Sequence, residues 1–475
     1  MLTGAEARSR NILIVVSLSG LFGCALLIGF MMLVERHSAD RAEADRRTYY
    51  MAAHDMLTGL GNRSQLQQAV DAVFSPDHIG PRPALILIDL DKFKPINDTF
   101  GHAVGDRILT LVAGRMRALC AREDLVARLG GDEFAVLVAD GQSVERIETL
   151  ANRLCHVLSE PFDVDGHKLG IGASAGVAFA GGDAGNTTDL MVAADLALYA
   201  AKAAGRGCAH LYRPELMAAA LKRRRLEADL REALKKGELE LYYQPIVRAD
   251  TGDVTRMEAL MRWRHAELGF ISPADFIPLA EETGQIVALG AWAIQTACAD
   301  IASLGGDVSV AVNLSPVQIR HESLIGTIRA ALAESALAPH RFEVEITEGV
   351  LLENDRQTLE VLHTIRSLGV GIALDDFGTG YSCLSYLQHY PITCIKVDRS
   401  FVSTLGQEKG ARPIISTVVA LAHNLGMFTV AEGVETDAQL RELTELGCDE
   451  VQGFYLGKPK PLAELRPTLK VSQSA

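Results

Sequence analysis

The chain of 475 residues carries 60 acidic against 46 basic side chains, a formal net charge of −14. A nucleic-acid polymer is gripped by clustered Lys and Arg that neutralise its phosphates, so this balance excludes DNA and RNA as expected partners. With 48% hydrophobic and 22% charged residues, the composition is that of two or three folded domains with filled cores, not of a disordered chain.

After a tail over 1–10, residues 11–34 read NILIVVSLSGLFGCALLIGFMMLV without a charge. At about 1.5 Å rise per residue, such a helix crosses a hydrocarbon layer of roughly 30 Å. The run is too long for a cleaved leader and no A-x-A site follows it, so an uncleaved membrane anchor is expected. Arg8 and Arg10 precede it while Arg36, Arg41, Arg46 and Arg47 follow, which favours a cytoplasmic C-terminal side. About ten residues on the far side leave no room for a folded sensory domain there. Residues 35–51 alternate in charge without Pro or Gly and read as a solvated helical linker.

The first soluble block spans 52–213. ALILIDLD is a buried-strand run, GDRILTLVAGRMRAL puts Ile108, Leu111, Val112, Met116 and Leu119 on one helical face, and DLVARLGGDEFAVLVAD reads as a hairpin closed at Gly130-Gly131. A strand over 174–180 and a helix over 190–204 complete an α+β pattern with an antiparallel element. Residues 214–236 form a connecting helix whose Lys-Arg run reads as a solvated face. The second block, 237–475, alternates helical segments with eight strand-like runs: ELYYQPIV, RMEALMRW, VSVAVNLS, FEVEITE, GIALDDF, CIKVD, FTVAEGVE and EVQGFYLG. That number of strands in roughly 250 residues is the pattern of a (β/α)8 TIM-type barrel. The eight cysteines (24, 120, 155, 208, 298, 383, 394 and 448) show neither CxxC pairs nor His spacing, which fits a reducing compartment and no zinc site.

Two acidic groupings stand out. In the first block the strand ends in Asp89-Leu90-Asp91 and the hairpin turn carries Asp132-Glu133. Adjacent strands bring Asp89 and Asp132 together as hard oxygen ligands for Mg2+, which would also hold phosphates, and Gly130 and Gly131 open the backbone to them. Taken alone, such a hairpin is usually only a turn. In the second block polar residues fall late in the strand runs: Glu258, Asn313, Glu345, Glu348, Asp375, Asp376, Lys396, Asp398, Glu432, Glu435 and Gln452. Barrel strands converge with their C-terminal ends on one mouth, so an acidic cup that needs cations is expected. Any one of these acids alone reads better as a surface salt bridge.

DMLTGLGNR (55–63), DLDKFKPINDTFGHAVGD (89–106), RLGGDEF (128–134) and ALYAAKAAGRG (197–207), in this order, resemble the GGDEF family of diguanylate cyclases over the whole first block. The resemblance implies a nucleotide-cyclase-like antiparallel sheet and the joining of two GTP molecules, one on each subunit of a homodimer, into cyclic di-GMP. By position it implies Mg2+ at Asp89, Leu90 and Asp132, catalytic roles for Asp132 and Glu133, guanine read by Asn97 and Asp106, and triphosphate steadied by Lys202 and Arg206. Where relatives often carry an RxxD product-inhibition site stands Ala121-Arg122-Glu123-Asp124, so feedback there is expected to be weak or absent.

EALMRW (258–263), VNLSP (312–316), EITE (345–348), DDFGTGYSCL (375–384), IKVD (395–398), AEGVE (431–435) and QGFYLGKP (452–459) resemble the EAL family of cyclic di-GMP phosphodiesterases. This implies hydrolysis to linear pGpG with Mg2+ or Mn2+ on Glu258, Asn313, Glu345, Asp375, Asp376 and Glu432. Lys396 would orient water or stabilise charge, Glu432 would alternatively serve as base, and Glu348 would hold the metal-site loop. Gln244, Arg262, Glu435 and Gln452 are implied around the substrate. Three readings stay open: an enzyme that makes and degrades cyclic di-GMP, a phosphodiesterase with a GTP-binding regulatory domain, and a membrane-tethered receptor. The expected partners are GTP, cyclic di-GMP, a second copy of the chain, and lipid of a bacterial inner membrane with both domains on its cytoplasmic side.

Overall fold

The computed structural model describes residues 31–33, 36, 50–76, 80–352, 356–378, 387–406 and 411–466. Of the expected anchor only 31–33 falls among them, so the spanning helix lies outside the described residues. The chain divides into two compact units, Met1–Leu221 and Lys222–Ala475.

The first unit holds strands β1 (Gly61–Asn62), β2 (Ala84–Asp91), β3 (Leu125–Gly130), β4 (Glu133–Val138), β5 (Phe162–Val164), β6 (His167–Leu169), β7 (Gly172–Phe179) and β8 (Ala209–Leu211). Six of them form one sheet in the order β1-β3-β4-β2-β7-β8. Its inner ladders β3–β4, β4–β2 and β2–β7 are antiparallel, and β1 and β8 add parallel edges. Because side chains alternate across a strand, β2 feeds two cores. Ile86, Ile88 and Leu90 pack with Ile108, Val112 and Leu154 of helices His102–Leu119 and Val144–Ser159. Leu85 and Leu87 pack with Leu66, Leu190 and Leu198 of helices Arg63–Val73 and Thr187–Ala203. Gly176 of β7 lets the last of these helices lie on the sheet, since a Cβ there would overlap the backbone of Ala194 and Leu198.

One expected core position lies at the surface. Leu111 is 42% exposed, whereas Leu109 and Ala113 are buried beside Ile108, Val112 and Met116. At 100° per residue Leu111 points about 130° from the centre of that stripe, and hydrophobicity alone had recruited it. The β5–β6 hairpin was not expected. Its turn is Asp165-Gly166, both at positive φ (55° and 80°), the pairing that a two-residue hairpin loop prefers.

The second unit holds β9 (Leu239–Arg248), β10 (Val254–His265), β11 (Gly269–Ile271), β12 (Ser309–Asn313), β13 (Phe342–Thr347), β14 (Gly371–Phe377), β15 (Cys394–Val397), β16 (Phe428–Ala431), β17 (Glu450–Gln452) and β18 (Lys460–Pro461). Eight close a barrel, β9-β10-β12-β13-β14-β15-β16-β17 and back to β9, so each strand-like run of the sequence supplies one stave. The strict alternation fails at the first. β9 runs antiparallel to β10 and β17, and no helix follows it. The five residues 249–253 between β9 and β10 include Gly252 at φ 75° and are enough for a turn, not for the dozen or more that a parallel crossover needs.

Among the described residues, Ile286–Leu304 is long and apolar enough to cross a membrane. Its Ile294, Ala297, Cys298 and Ile301 are buried against barrel strands, which makes it a core helix. The helix Pro214–Ala233 buries Leu226, Leu230 and Ala233 with Trp263 and Phe276. Its basic run lies at the surface as expected, yet it is paired: Lys222 with Asp275 at 2.9 Å, Arg223 with Glu282 and Arg225 with Glu267.

Candidate functional site

In the first unit, the end of β2 and the β3–β4 turn are stitched together by the Leu90 N–H, which donates to the Asp132 carbonyl at 3.3 Å. Asp89 stands in register with Glu133 on one side and Ser174 on the other. Gly130 and Gly131, at φ 146° and 53°, leave the turn open, with nothing within 4 Å of where their Cβ atoms would stand. Burial pushes the Asp89 carboxyl above its ordinary value; Lys202 opposes this, and the charges of Asp132 and Asp91 add to it. Lys202, in the last turn of its helix, reaches Asp89 Oδ1 at 2.8 Å. The Leu90 side chain is 1% exposed within the core, so only its backbone could serve a ligand.

The remaining residues of this grouping spread around that pair. Glu133 is exposed and faces Arg63 at 3.4 Å. Arg206 lies 3.7 Å from Asp91 instead of Asp89. Asn97 Oδ1 occupies the space that a Cβ at Gly105 would fill, and it is buried without a hydrogen-bond partner among the described residues. Asp106, one residue on, is exposed. An orphaned acceptor beside a free carboxylate suits a ligand edge that offers two donors.

Asp91 was missed. It is 6% exposed and accepts from Ser174 Oγ at 2.8 Å and from the Gly207 N–H at 3.3 Å, tying the 205–207 loop to the sheet. Asp89 and Asp91 continue the period-two face of Leu85 and Leu87, toward the helix that carries Lys202, and that alternation was the available signal.

In the barrel, Lys396 of β15 is 1% exposed. Its Nζ lies 2.6 Å from Glu432 Oε1, 2.8 Å from Glu345 Oε2, 3.3 Å from Asp375 Oδ1 and 4.0 Å from Glu258 Oε1. Glu258 Oε1 also accepts from Asn313 Nδ2 at 2.8 Å, and its Oε2 from Gln452 Nε2 at 2.6 Å. Asp375, Asp376 and Glu432 present oxygens all within 4.8 Å of one another, with Asp376 in the left-handed region at φ 55°.

The electrostatics of this cup are those of anions short of a counter-charge. Burial pushes Glu345 well above the usual carboxylate range despite Lys396, and Glu258 adds to the rise. Glu432 is pushed up to about 7, first by burial, with Lys396 opposing and Asp375 adding. Burial works the same way on Glu258, but Lys396 and the Gln452 and Asn313 amides outweigh it and hold that carboxyl below its ordinary value. Burial disfavours the Lys396 charge, yet Glu258, Glu345, Glu432 and Asp375 together hold its pKa well above normal.

Five carboxylates against one ammonium leave four formal negative charges, the charge that two divalent cations carry. Glu345 Oε1 is buried without a hydrogen-bond partner among the described residues, a lone pair free for an ion. The donors are all oxygen, as Mg2+ and Mn2+ prefer.

Other expected barrel residues sit farther from Lys396. Gln244 of β9 is in register with Glu258, 8% exposed, and donates from Nε2 to the Gly457 carbonyl at 3.1 Å. Arg262 is half-buried and holds its guanidinium 5.7 Å over the Tyr242 ring. Glu435 stands exposed after β16, outside the Lys396 cluster of ion pairs. Glu348 is 7% exposed with both carboxylate oxygens unpaired among the described residues, and the loop that it is expected to hold, 379–386, lies outside them.

Residues 52–208 match the family described as "Diguanylate cyclase, GGDEF domain", and residues 227–459 match the "EAL domain". This chain is a GGDEF–EAL tandem protein. It is 41% identical over 432 residues to the "Bifunctional diguanylate cyclase/cyclic di-GMP phosphodiesterase MucR" of Pseudomonas aeruginosa, covering 89% of this chain and 62% of that one. To the "Cyclic di-GMP phosphodiesterase NbdA" of the same organism it is 40% identical over 436 residues, 91% of this chain and 55% of that one. The tandem thus spans little more than half the length of these curated relatives. The solved "Structure of EAL Enzyme Bd1971 - cAMP and cyclic-di-GMP bound form" is similar at TM-score 0.51 and 26% identity, over 64% of this chain and 82% of that one.

Proposed function

We propose that this chain both makes and degrades cyclic di-GMP, condensing two GTP in the first unit and hydrolysing the product to pGpG in the barrel. The observation that carries the hydrolase half is the cup around Lys396, in which Asp375, Asp376 and Glu432 converge on one another beside buried Glu258 and Glu345; the cyclase half is supported by Asp89 and Asp132 meeting at the open Gly130-Gly131 turn beside Lys202. Divalent cations held by Glu258, Asn313, Glu345, Asp375, Asp376 and Glu432 would neutralise the phosphate and acidify the attacking water. Lys396 keeps its ammonium proton and stabilises charge on the phosphate oxygens. Were Glu432 instead to stand outside the ligand set, its carboxylate would be the group suited to accept a proton from water.

In the first unit, Asp89 and Asp132 would hold Mg2+, Lys202 and Arg206 the triphosphate, and Asn97 and Asp106 the guanine edge. Glu133 is assigned beside the metal. Since each subunit would supply one GTP, the cyclase half requires a homodimer. The uncharged run at 11–34 supports anchoring in the inner membrane, and the four arginines that follow it against two before support both units being in the cytoplasm.

Nucleotide chromatography on the full chain with GTP and Mg2+ tests both halves. Asp132→Ala is expected to stop cyclic di-GMP formation and leave hydrolysis of added cyclic di-GMP intact; Glu258→Ala is expected to do the reverse. Absence of one product from the folded wild type removes that half. The similarity to NbdA favours a second reading, a phosphodiesterase regulated by GTP, which GTP raising pGpG output without being consumed would establish.

Asp124, the remnant of the inhibition motif, accepts from the Ala121 N–H at 2.9 Å and the Ala139 N–H at 3.1 Å, so its carboxylate is committed to the turn. Asp124→Ala is expected to lower the unfolding temperature and leave any product inhibition of the cyclase unchanged. Inhibition that disappeared in this variant would show a working feedback site.

A further inference from the structure

Above the acidic cup, β10 continues six residues past Glu258 to Arg264. Side chains alternate along the strand, and Trp263 is buried in the core against helix Pro273–Glu282, so Arg262 and Arg264 share the opposite face, that of Glu258. Tyr242 lies on the same face, in register with Leu260, two residues or roughly 7 Å beyond Glu258. β11 folds back along β10 and pairs Phe270 with Arg264, which sets the Phe270 ring on this face as well.

The pieces touch. The Phe270 and Tyr242 rings meet edge to face at 6.2 Å, Arg264 sits 5.0 Å over Phe270, and Glu240 holds Arg264 at 3.3 Å. Arg262 bridges downward: it lies over Tyr242 and feels the charge of Glu258. The Phe270 side chain is nevertheless 55% exposed, a large apolar ring left open next to a polar, charged cup. A ring face flanked by a guanidinium on a phosphate-binding mouth is suited to stacking a nucleobase.

We propose that Phe270, backed by Tyr242 and Arg264, is a stacking platform for one guanine of the cyclic dinucleotide whose scissile phosphate lies in the cup. The assignment rests on the hydrolase reading of the barrel and adds to it a residue that governs affinity, not chemistry. Phe270 touches none of the carboxylates or Lys396, so its loss acts on substrate binding.

The test titrates cyclic di-GMP into the full chain by calorimetry in Ca2+, and measures pGpG formation in Mg2+, for wild type, Phe270→Ala and Phe270→Trp. Removing a base-stacking ring is expected to raise both the Kd and the KM roughly tenfold, with kcat within about twofold, and Phe270→Trp is expected to restore both. An unchanged Kd and KM in Phe270→Ala, or a fall in kcat at unchanged Kd, would overturn the platform. A wild type that binds cyclic di-GMP but yields no pGpG would remove the hydrolase reading while the Kd series still decides the platform.

Discussion

Lys396→Ala is expected to abolish pGpG formation and to destabilise the metal-free barrel by about 3–5 kcal/mol, the usual cost of stripping one partner from a buried ion pair. The ammonium is 1% exposed, and Glu345, equally buried, lies 2.8 Å away. Without it Glu345, Glu432, Asp375 and Glu258 face one another with no cation among them. The structure relieves part of this repulsion already, since burial has raised Glu345 and Glu432 toward their protonated forms. Divalent ions are therefore expected to restore much of the lost unfolding temperature but not the activity, because they replace the charge and not the ammonium proton. Thermal unfolding in chelator and in Mn2+, followed by circular dichroism beside the pGpG assay, separates the two effects. A variant that melts at the wild-type temperature in chelator would show that Lys396 does not balance the cup.

Periodicity carried most of the architecture. The eight staves were legible because each is a short apolar run bounded by turn residues, and the cup because most of its members fall toward the C-terminal ends of those runs; Glu258 is the exception, since β10 runs on past it to His265. What periodicity cannot express is direction. ELYYQPIV reads the same whichever way it runs, and only the short 249–253 connection fixes β9 as antiparallel. Reversal matters to the site, because it puts Gln244 and Tyr242, early in the run, at the mouth where the other strands put their ends. Leu111 shows the converse error: its chemistry matched the core while its angle did not. Asp91 was given no role, because nothing near it in the sequence marks it as a buried tie between the sheet and the 205–207 loop. Its partners, Ser174 and the Gly207 amide, are 83 and 116 residues away in sequence.

The same limit hid a second charged layer in the barrel, and it yields the other large effect. Two residues below Glu258, Glu345 and Gln452 on their strands lie Arg256, Glu343 and Glu450, sharing the interior with Ile246, Ala373, Cys394 and Val430. Arg256 is ion-paired with Glu343 and lies 3.4 Å from Glu450, all three side chains being at most 14% exposed. Burial pushes the Glu343 carboxyl up; Arg256 opposes this and Glu450 adds to it. Arg256→Met is expected to cost about 3–5 kcal/mol, because two glutamates then remain buried without a cation. The layer makes no ion pair with the cup among the described residues and couples to it only through longer-range charge, Arg256 with Glu345 and Glu343 with Lys396, so neutrality of the layer as a whole is what the barrel needs from it. Hence Arg256→Met combined with Glu343→Leu and Glu450→Met is expected to recover most of that loss, as apolar replacement of a whole buried ion network commonly does. Urea midpoints at constant m-value measure both variants. If the triple replacement were as unstable as Arg256→Met alone, the arginine would be stabilising the barrel through its shape and hydrogen bonds instead of by neutralising its two neighbours.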